Sequence, residues 1–277
     1  MPKNIILNSL KQSFVLIWKN KSLFILLFIL QIVFFSVFFF INLKYQTRIL
    51  ENAKAISDYL SQQKLDEVSV ASDILQQKNI LGDDPLIISR NFNELVKNFR
   101  LYLIYIFILL VIFISLFWAI TIRLLHKIRL KQAINILLKN LVVILFYLGL
   151  IFSFFYSVFN VTLAEAAAQG TGIFVKYVPF LILATILIYF MFISLSLLNK
   201  TELKYIVQKT LAIGIKKAHY MILVYFINIF LILVSVFSLF YFIEINFFIV
   251  FLSIVLMIFS FVFGRILIVN VVEKLEI

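Results

Sequence analysis

Apolar residues in this chain are concentrated in six blocks of about twenty residues or more, and the segments between the blocks hold most of the charges. A helix rises about 1.5 Å per residue, so a block of this length can cross the roughly 30 Å hydrocarbon layer of a bilayer once. The six predicted transmembrane helices cover roughly residues 22–43, 101–122, 141–160, 173–198, 219–242 and 246–269. The pattern therefore predicts an all-α polytopic membrane helix bundle, formed as a single membrane domain over residues 1–277.

The composition agrees with this pattern. Of the 277 residues, 64% are hydrophobic and 14% are charged, whereas soluble domains are nearer half apolar and one quarter charged. The first block, Ser22 to Leu43, is longer than the apolar core of a signal peptide and lacks a cleavage site flanked by small residues. It is expected to remain in the protein as a membrane helix.

Lysine and arginine residues are distributed unevenly between the two predicted sides of the membrane. Sixteen lie in the N-terminal segment, the second and fourth connections and the C-terminal end, whereas the two short connections on the other side hold only Lys176. By the positive-inside rule, both termini of this multi-pass protein are expected on the cytoplasmic side of the cell membrane. The long first connection, 44–100, is expected outside the cell, because long segments cross largely regardless of their charge.

The external segment 44–100 is predicted to be a helical insertion between the first two membrane helices. Its apolar residues recur at helical spacing at Ile49, Ala53, Ile56 and Leu60. A second helix is predicted over 67–79, "LGDDP" predicts a turn, and Asn91 and Glu94 have the spacing of a capping box that would start a third helix. The segment could bind a protein partner or a second copy of the chain. A structural cap with a solvated face is the favoured interpretation.

One phrase occurs twice, as "LKQSFVLIWKN" from Leu10 and "LKQAINILLKN" from Leu130, an offset of 120 residues. An offset of 197 brings the weaker copy "VQKTLAIGIKK" onto the same positions. The chain is therefore interpreted as three pseudo-repeats, each an amphipathic helix followed by a pair of membrane helices. Chance similarity between Lys-rich membrane borders is the alternative.

The amphipathic helices can lie in the headgroup region with their cations toward lipid phosphates, or they can continue directly into the membrane helices. In the first copy, Ile6, Leu10, Phe14 and Ile17 form the apolar stripe, and in the second copy Leu130, Ile134, Leu137 and Leu141 do so. The candidate lipid-contacting cations are Lys11, Lys19, Lys131, Lys139, Lys216, Lys217 and Arg265. Arg265, about one turn inside the last block, is expected to extend back to the headgroups, and a functional counter-ion role is the alternative. The partner implied by these residues is a bilayer with anionic headgroups on the cytoplasmic side.

The layout resembles that of uncharacterised prokaryotic six-helix membrane proteins, and it is similar to the membrane domain that precedes some glycerophosphodiester phosphodiesterases. This architectural resemblance implies a fold and no activity. The catalytic motifs of those enzymes and their soluble domain are missing from this sequence.

The sequence contains little that could perform chemistry. It has no cysteine, and its two histidines, His126 and His219, lie at membrane borders without carboxylates nearby in sequence. Thr162 and Glu165 have capping-box spacing, so Glu165 is expected to begin a short helix rather than act as an acid. No metal or cofactor is expected. The formal charge of +12 lies beside apolar blocks, so no nucleic-acid partner is expected either.

Two carboxamides, Gln31 and Asn228, lie near the middle of the first and fifth blocks and are 197 residues apart. An amide that faced lipid would have no hydrogen-bond partner, so both are expected to point inward and to interact directly or through one water. They could act as a packing clamp, which is the favoured interpretation, or line a polar binding site between repeats.

Three classes of function are compatible with these features. A non-enzymatic scaffold, assembly or lipid-interacting membrane protein is favoured, because no catalytic group of residues is found. A permease or carrier component is the second class, and a lipid-handling membrane enzyme is the third. A polar cavity within the membrane would favour the carrier, and a groove open to lipid would favour lipid handling.

The predicted topology can be tested by single cysteine substitutions, since the chain has no cysteine of its own. Cysteine at Gln62 or Ala167 should react with an impermeant reagent in intact cells, whereas cysteine at Asn4 should not. Strong labelling at position 4 would show that the topology is the reverse of the predicted one.

Overall fold

The computed structural model describes residues 5–62, 86–169, 173–244 and 247–276, and this part of the chain forms eight helices with no strand. In chain order they are α1 (Ile5–Lys19), α2 (Lys21–Gln62), α3 (Leu86–His126), α4 (Leu130–Gln169), α5 (Ile173–Leu197), α6 (Leu203–Lys216), α7 (Ala218–Phe242) and α8 (Phe247–Glu276). Six of them, all except α1 and α6, are long and apolar enough to cross a membrane. The predicted class, an all-α multi-pass membrane protein, is confirmed.

The helices that carry the repeated phrase differ in how they join the membrane helices. A break of one residue, Asn20, separates α1 from α2, and Lys217 separates α6 from α7 in the same way. In the middle copy, α4 begins at Leu130 and continues through the apolar block without interruption. At the second copy the basic segment therefore continues directly into the membrane helix, which is one of the two arrangements that the sequence left open.

Small polar residues, rather than large apolar ones, form the buried face of α1. Ser9 and Ser13 are fully buried, whereas Phe14, from the predicted apolar stripe, is exposed. Each serine satisfies its hydroxyl by donating to the carbonyl four residues earlier, at 2.8 Å. Small residues let helices approach closely, and lipid accepts large apolar side chains as readily as a protein core does. The predicted stripe is thus exposed at Phe14 and half-buried at Ile6, Leu10 and Ile17.

The second copy of the phrase shows a similar arrangement. Ala133, Ile136 and Asn140 are buried on α4, whereas Leu130 and Ile134 of the predicted apolar stripe are exposed. Large apolar side chains on this outward face can contact lipid without an energetic cost.

The chain divides into two compact units, Met1–Phe34 with Leu110–Ile277, and Phe35–Leu109. The whole predicted external insertion, 44–100, falls within the limits of the second unit. Within this unit Tyr102 donates a hydrogen bond of 2.8 Å to the side-chain oxygen of Asn42, and Tyr45 is buried beside Tyr105, with ring centroids 5.6 Å apart.

Several local predictions need correction. Asn91 does not cap a helix: α3 begins at Leu86, and the Asn91 side chain donates to the Ile87 carbonyl inside it. Thr162 and Glu165 start no new helix, because α4 extends to Gln169. A capping box marks the start of a helix only where the preceding backbone is not helical, and at both of these positions the preceding backbone is helical. The helix predicted over 67–79 and the turn at 81–85 lie outside the described residues.

The C-terminal end of α8 connects several neighbouring elements through ionic contacts. Glu273 lies 2.5 Å from His126 Nε2 and 3.4 Å from Lys200 Nζ. Glu276 accepts a hydrogen bond of 2.6 Å from Lys209 Nζ, and Lys217 donates to the Leu275 carbonyl. His126 has no carboxylate nearby in sequence, but the fold places beside it the carboxylate of Glu273, 147 residues away.

The two junction residues Asn20 and Lys217 occupy equivalent positions at the offset of 197 residues, and their contacts are alike. Asn20 Nδ2 donates to the Leu124 carbonyl at 3.2 Å, near the end of α3. Lys217 Nζ donates to the Leu275 carbonyl, near the end of α8. Each junction thus satisfies a carbonyl that a helix end leaves without an intrahelical partner. These contacts support the interpretation of repeats, which stays a prediction.

The ionic contacts at the end of α8 should contribute to stability. Glu276→Gln removes the charge from a contact whose carboxylate is 17% exposed, and losing a hydrogen bond to a charged group costs about 1.5–3 kcal/mol. The matched control is Glu202→Gln, because Glu202 is 74% exposed and lies 3.7 Å from Lys204; such surface pairs contribute about 0–1 kcal/mol. The first variant should lower Tm in detergent clearly more than the second, and equal shifts would contradict this.

Candidate functional site

Arg265 lies inside the larger unit and not among the interfacial cations. Its Nη1 donates a hydrogen bond of 2.9 Å to Gln31 Oε1 on α2, and its guanidinium carbon is 4.3 Å from the centre of the Phe117 ring on α3. The expectation that this side chain extends to the headgroups is therefore wrong. An amide acceptor and an aromatic face are available to it within the bundle, and both favour a cation.

Two further nitrogens of Arg265 are unsatisfied. Nε and Nη2 are both buried and make no hydrogen bond within the described part of the protein, and no carboxylate there pairs with the guanidinium. Burying an unpaired charge is costly. An ionisable side chain held in this way within membrane helices is a candidate functional group.

Asn228 lies on α7 against the glycine that precedes Arg265. Its Nδ2 donates to the Gly264 carbonyl at 3.4 Å, and its Oδ1 is buried with no partner among the described residues. A Cβ atom at position 264 would lie 3.0 Å from Asn228 Cγ and Oδ1, which is closer than side chains normally approach. An alanine at position 264 would therefore require the Asn228 amide to shift by a few tenths of an ångström.

A cavity of about 260 Å³ lies beside these residues, between α3, α5, α7 and α8. Its polar lining is contributed by Arg265, Asn228 and Ser260 together with the Gly264 backbone and Tyr225. Most of its wall is apolar and aromatic, formed by Ile114, Phe117, Trp118, Phe192, Ile229, Ile232, Phe261 and Ile268. The cavity thus combines one cation with a largely apolar interior.

The two predicted intramembrane amides both point inward, with Gln31 3% exposed and Asn228 8% exposed. Neither bonds the other: Gln31 contacts Arg265, and Asn228 contacts Gly264. Both therefore meet consecutive residues of α8. Their role as a site stays a prediction.

The remaining candidate cations are divided by their surroundings. Lys11, Lys19, Lys131 and Lys216 are exposed, whereas Lys139 and Lys217 are half-buried. Lys217 bonds the Leu275 carbonyl and so contributes a contact within the protein, which the sequence prediction of a lipid contact missed.

Aromatic residues accompany exposed lysines at α1 and α6. Lys21 Nζ lies 4.3 Å from the ring centre of Trp18, which is 74% exposed. Lys204 Nζ lies 4.6 Å from the ring centre of Tyr205, which is also exposed. Trp, Tyr and Lys are the residues that anchor helices at the membrane–water boundary.

The structure also brings together residues that the sequence analysis did not select. Ser13 on α1 accepts a hydrogen bond of 2.7 Å from Asn270 on α8. Ser194 links Tyr147 and Thr210 at 3.1 and 3.0 Å. Buried Ser, Thr and Asn within apolar blocks are the sequence signal for such contacts, but the sequence does not say which of them meet.

Comparison with protein-family models, curated proteins and solved structures found no match to this chain. The resemblance to the membrane domain of some phosphodiesterases therefore stays an expectation. The site must be interpreted from its own geometry. In the described part of the chain, no group of three or more metal-ligating side chains is present.

The Arg265–Gln31 contact predicts that two substitutions of Gln31 will change Tm in opposite directions. Gln31→Leu removes the acceptor of Nη1 and should lower Tm in detergent by leaving another buried donor unpaired. Gln31→Glu supplies a carboxylate beside a buried guanidinium and should raise Tm, because the charge becomes paired. A fall in Tm for both variants would show that Arg265 already has its charge compensated.

Proposed function

We propose that this chain is a non-enzymatic integral membrane protein that interacts with anionic lipid through the basic surface of α1 and α6. The single observation that carries the proposal is the pairing of exposed lysines with exposed aromatic rings, Lys21 with Trp18 and Lys204 with Tyr205. In the proposed topology this surface lies at the cytoplasmic face, where anionic headgroups attract cations by about 1 kcal/mol for each Lys or Arg.

The arrangement of α1 supports an interfacial position. Lys11 and Lys19 are exposed together with Phe14, Val15 and Trp18, whereas its buried face is narrow and consists of Ser9 and Ser13. A helix whose exposed surface carries both cations and large apolar residues suits the headgroup boundary better than water or hydrocarbon. The same mixture occurs on α6, where Lys216 is exposed beside Leu211 and Ile215.

A permease or carrier component is the second candidate. The observation that favours it is the cavity between membrane helices with Arg265 on its wall, because carriers place charged groups at such positions. The largely apolar lining favours an apolar or amphiphilic molecule over a small hydrophilic one.

A scaffold role would use the same basic surface of α1 and α6 that the lipid interaction uses.

Lipid selectivity can be measured with the native fluorescence of Trp18. In vesicles, brominated phosphatidylglycerol should quench Trp18 more strongly than brominated phosphatidylcholine, because the nearby lysines enrich anionic lipid. The triple variant Lys19→Gln, Lys21→Gln, Lys204→Gln should bring the ratio of the two quenching strengths close to one, because it removes both lysines that lie against exposed aromatic rings. A Trp118→Phe background removes the second tryptophan.

The matched control removes the same charge from the predicted external segment, by Lys44→Gln, Lys54→Gln and Lys97→Gln. This control should keep the preference for phosphatidylglycerol. Equal quenching by both lipids in the unmodified chain, or an equal loss in both triple variants, would refute the proposed role of α1 and α6.

A further inference from the structure

We propose that the cavity beside Arg265 binds the head of a single-chain anionic amphiphile, a carboxylate or phosphate ester attached to one acyl chain. This site is separate from the lipid-contacting surface of α1 and α6 and goes beyond the function proposed above.

The unsatisfied donors of Arg265 define the ligand's charge and shape. Nε and Nη2 lie on one edge of the planar guanidinium, the edge that pairs with two oxygens of one carboxylate or phosphate. Both atoms are buried and without a partner, whereas Nη1 is held by Gln31. The bond to Gln31 orients the group and leaves that edge unpaired in a residue that lines the cavity. Because both nitrogens are buried, an anion reaches them only after a small shift of the side chain.

The cavity walls define the rest of the ligand. Apart from Arg265, Asn228, Ser260, the Gly264 backbone and the Tyr225 hydroxyl, the lining is hydrocarbon or aromatic ring. The Tyr225 hydroxyl already donates to the Tyr189 carbonyl at 3.3 Å. A small inorganic anion would leave the apolar wall without contacts, while an acyl chain would cover it.

The volume limits the ligand to part of one chain. About 260 Å³ is slightly less than the roughly 300–1,000 Å³ of pockets that enclose drug-sized molecules. A compact head and the first part of one chain fit this space. A phospholipid with two chains does not.

The rest of the chain can leave through the α7 side of the cavity. Ile229 lines the cavity and is 53% exposed. Phe226 and Leu233, three residues before and four residues after it, are also exposed on the same helix face. In a membrane protein this face contacts hydrocarbon, so the tail of the ligand can remain in the bilayer while its head meets Arg265.

Asn228 adds a second recognition element. Its Oδ1 is a buried acceptor without a partner in the described protein, so it suits a hydroxyl group on the ligand head. Gly264 has no side chain and therefore leaves space for this amide.

The native reporter for binding is Trp118, which lines the cavity and is fully buried. In a Trp18→Phe background it is the only tryptophan. The probe is 9,10-dibromostearate, added to the purified protein in detergent, because bromine quenches tryptophan only at short range. Saturable quenching of Trp118 is expected, and the methyl ester of the same chain should quench at least tenfold more weakly.

Variants at the guanidinium test the recognition of charge. Arg265→Gln should weaken quenching by dibromostearate at least tenfold. Arg265→Lys should restore only part of the quenching, because an ammonium group cannot form the bidentate contact. Gln31→Glu should also weaken it by neutralising the cation, and this variant is expected to be more stable than the native protein. It therefore keeps the test valid if Arg265→Gln does not fold. Arg123→Gln is the matched control and should leave quenching unchanged.

A pair of glycine variants tests the geometry of the site. Gly264→Ala should displace Asn228 and weaken quenching, since its Cβ would lie 3.0 Å from that amide. Gly149→Ala should have no effect, because its Cβ would meet nothing within 4 Å.

Competition by unbrominated amphiphiles identifies the head group. Oleate and monooleoyl lysophosphatidate should relieve the quenching, and the stronger competitor identifies carboxylate or phosphate as the preferred head; butyrate and inorganic phosphate should not compete. Equal quenching by the acid and its methyl ester, or quenching unaffected by Arg265→Gln and Gln31→Glu, would overturn the proposal and leave Arg265 as a packing residue. The lysine variants are measured by the quenching of Trp18, whereas the cavity variants are measured by the quenching of Trp118. Failure of one proposal can therefore be distinguished from failure of the other.

Discussion

Polar side chains near the C-terminal end of α8 are paired with residues of other helices. Asn270 meets Ser13, Glu273 meets His126, and Glu276 meets Lys209. These partners come from the first helix, from the end of α3 and from α6. One helix therefore brings together elements that are far apart in sequence, and its buried residues are concentrated in this half.

Only some of the hydrogen-bond donors of Arg265 have partners. Gln31 and the ring of Phe117 accommodate one side of the guanidinium, and the other edge has no acceptor among the described residues. A cost of this kind persists in a folded protein when the group has a use. The apolar cavity beside it indicates that the use is recognition of an anion attached to a hydrocarbon chain, which a purely structural arginine would not require.

The errors of the sequence analysis share one physical cause. Asn91 and Glu165 belong to motifs whose meaning depends on whether the backbone is already helical, and long apolar helices continue through both positions. His126 has a carboxylate partner in Glu273, which local spacing could not reveal.

The sequence by itself determined the number and location of the membrane-crossing helices, because crossing a bilayer is a property of each segment alone: its length and the absence of charges decide it. It also indicated that Gln31 and Asn228 would avoid lipid, since an amide in hydrocarbon has no partner. Only the tertiary structure decided what they meet. The same holds for the direction of Arg265 and for the cavity beside it, because these depend on which helix faces are brought together by contacts between residues as distant as Gln31 and Arg265.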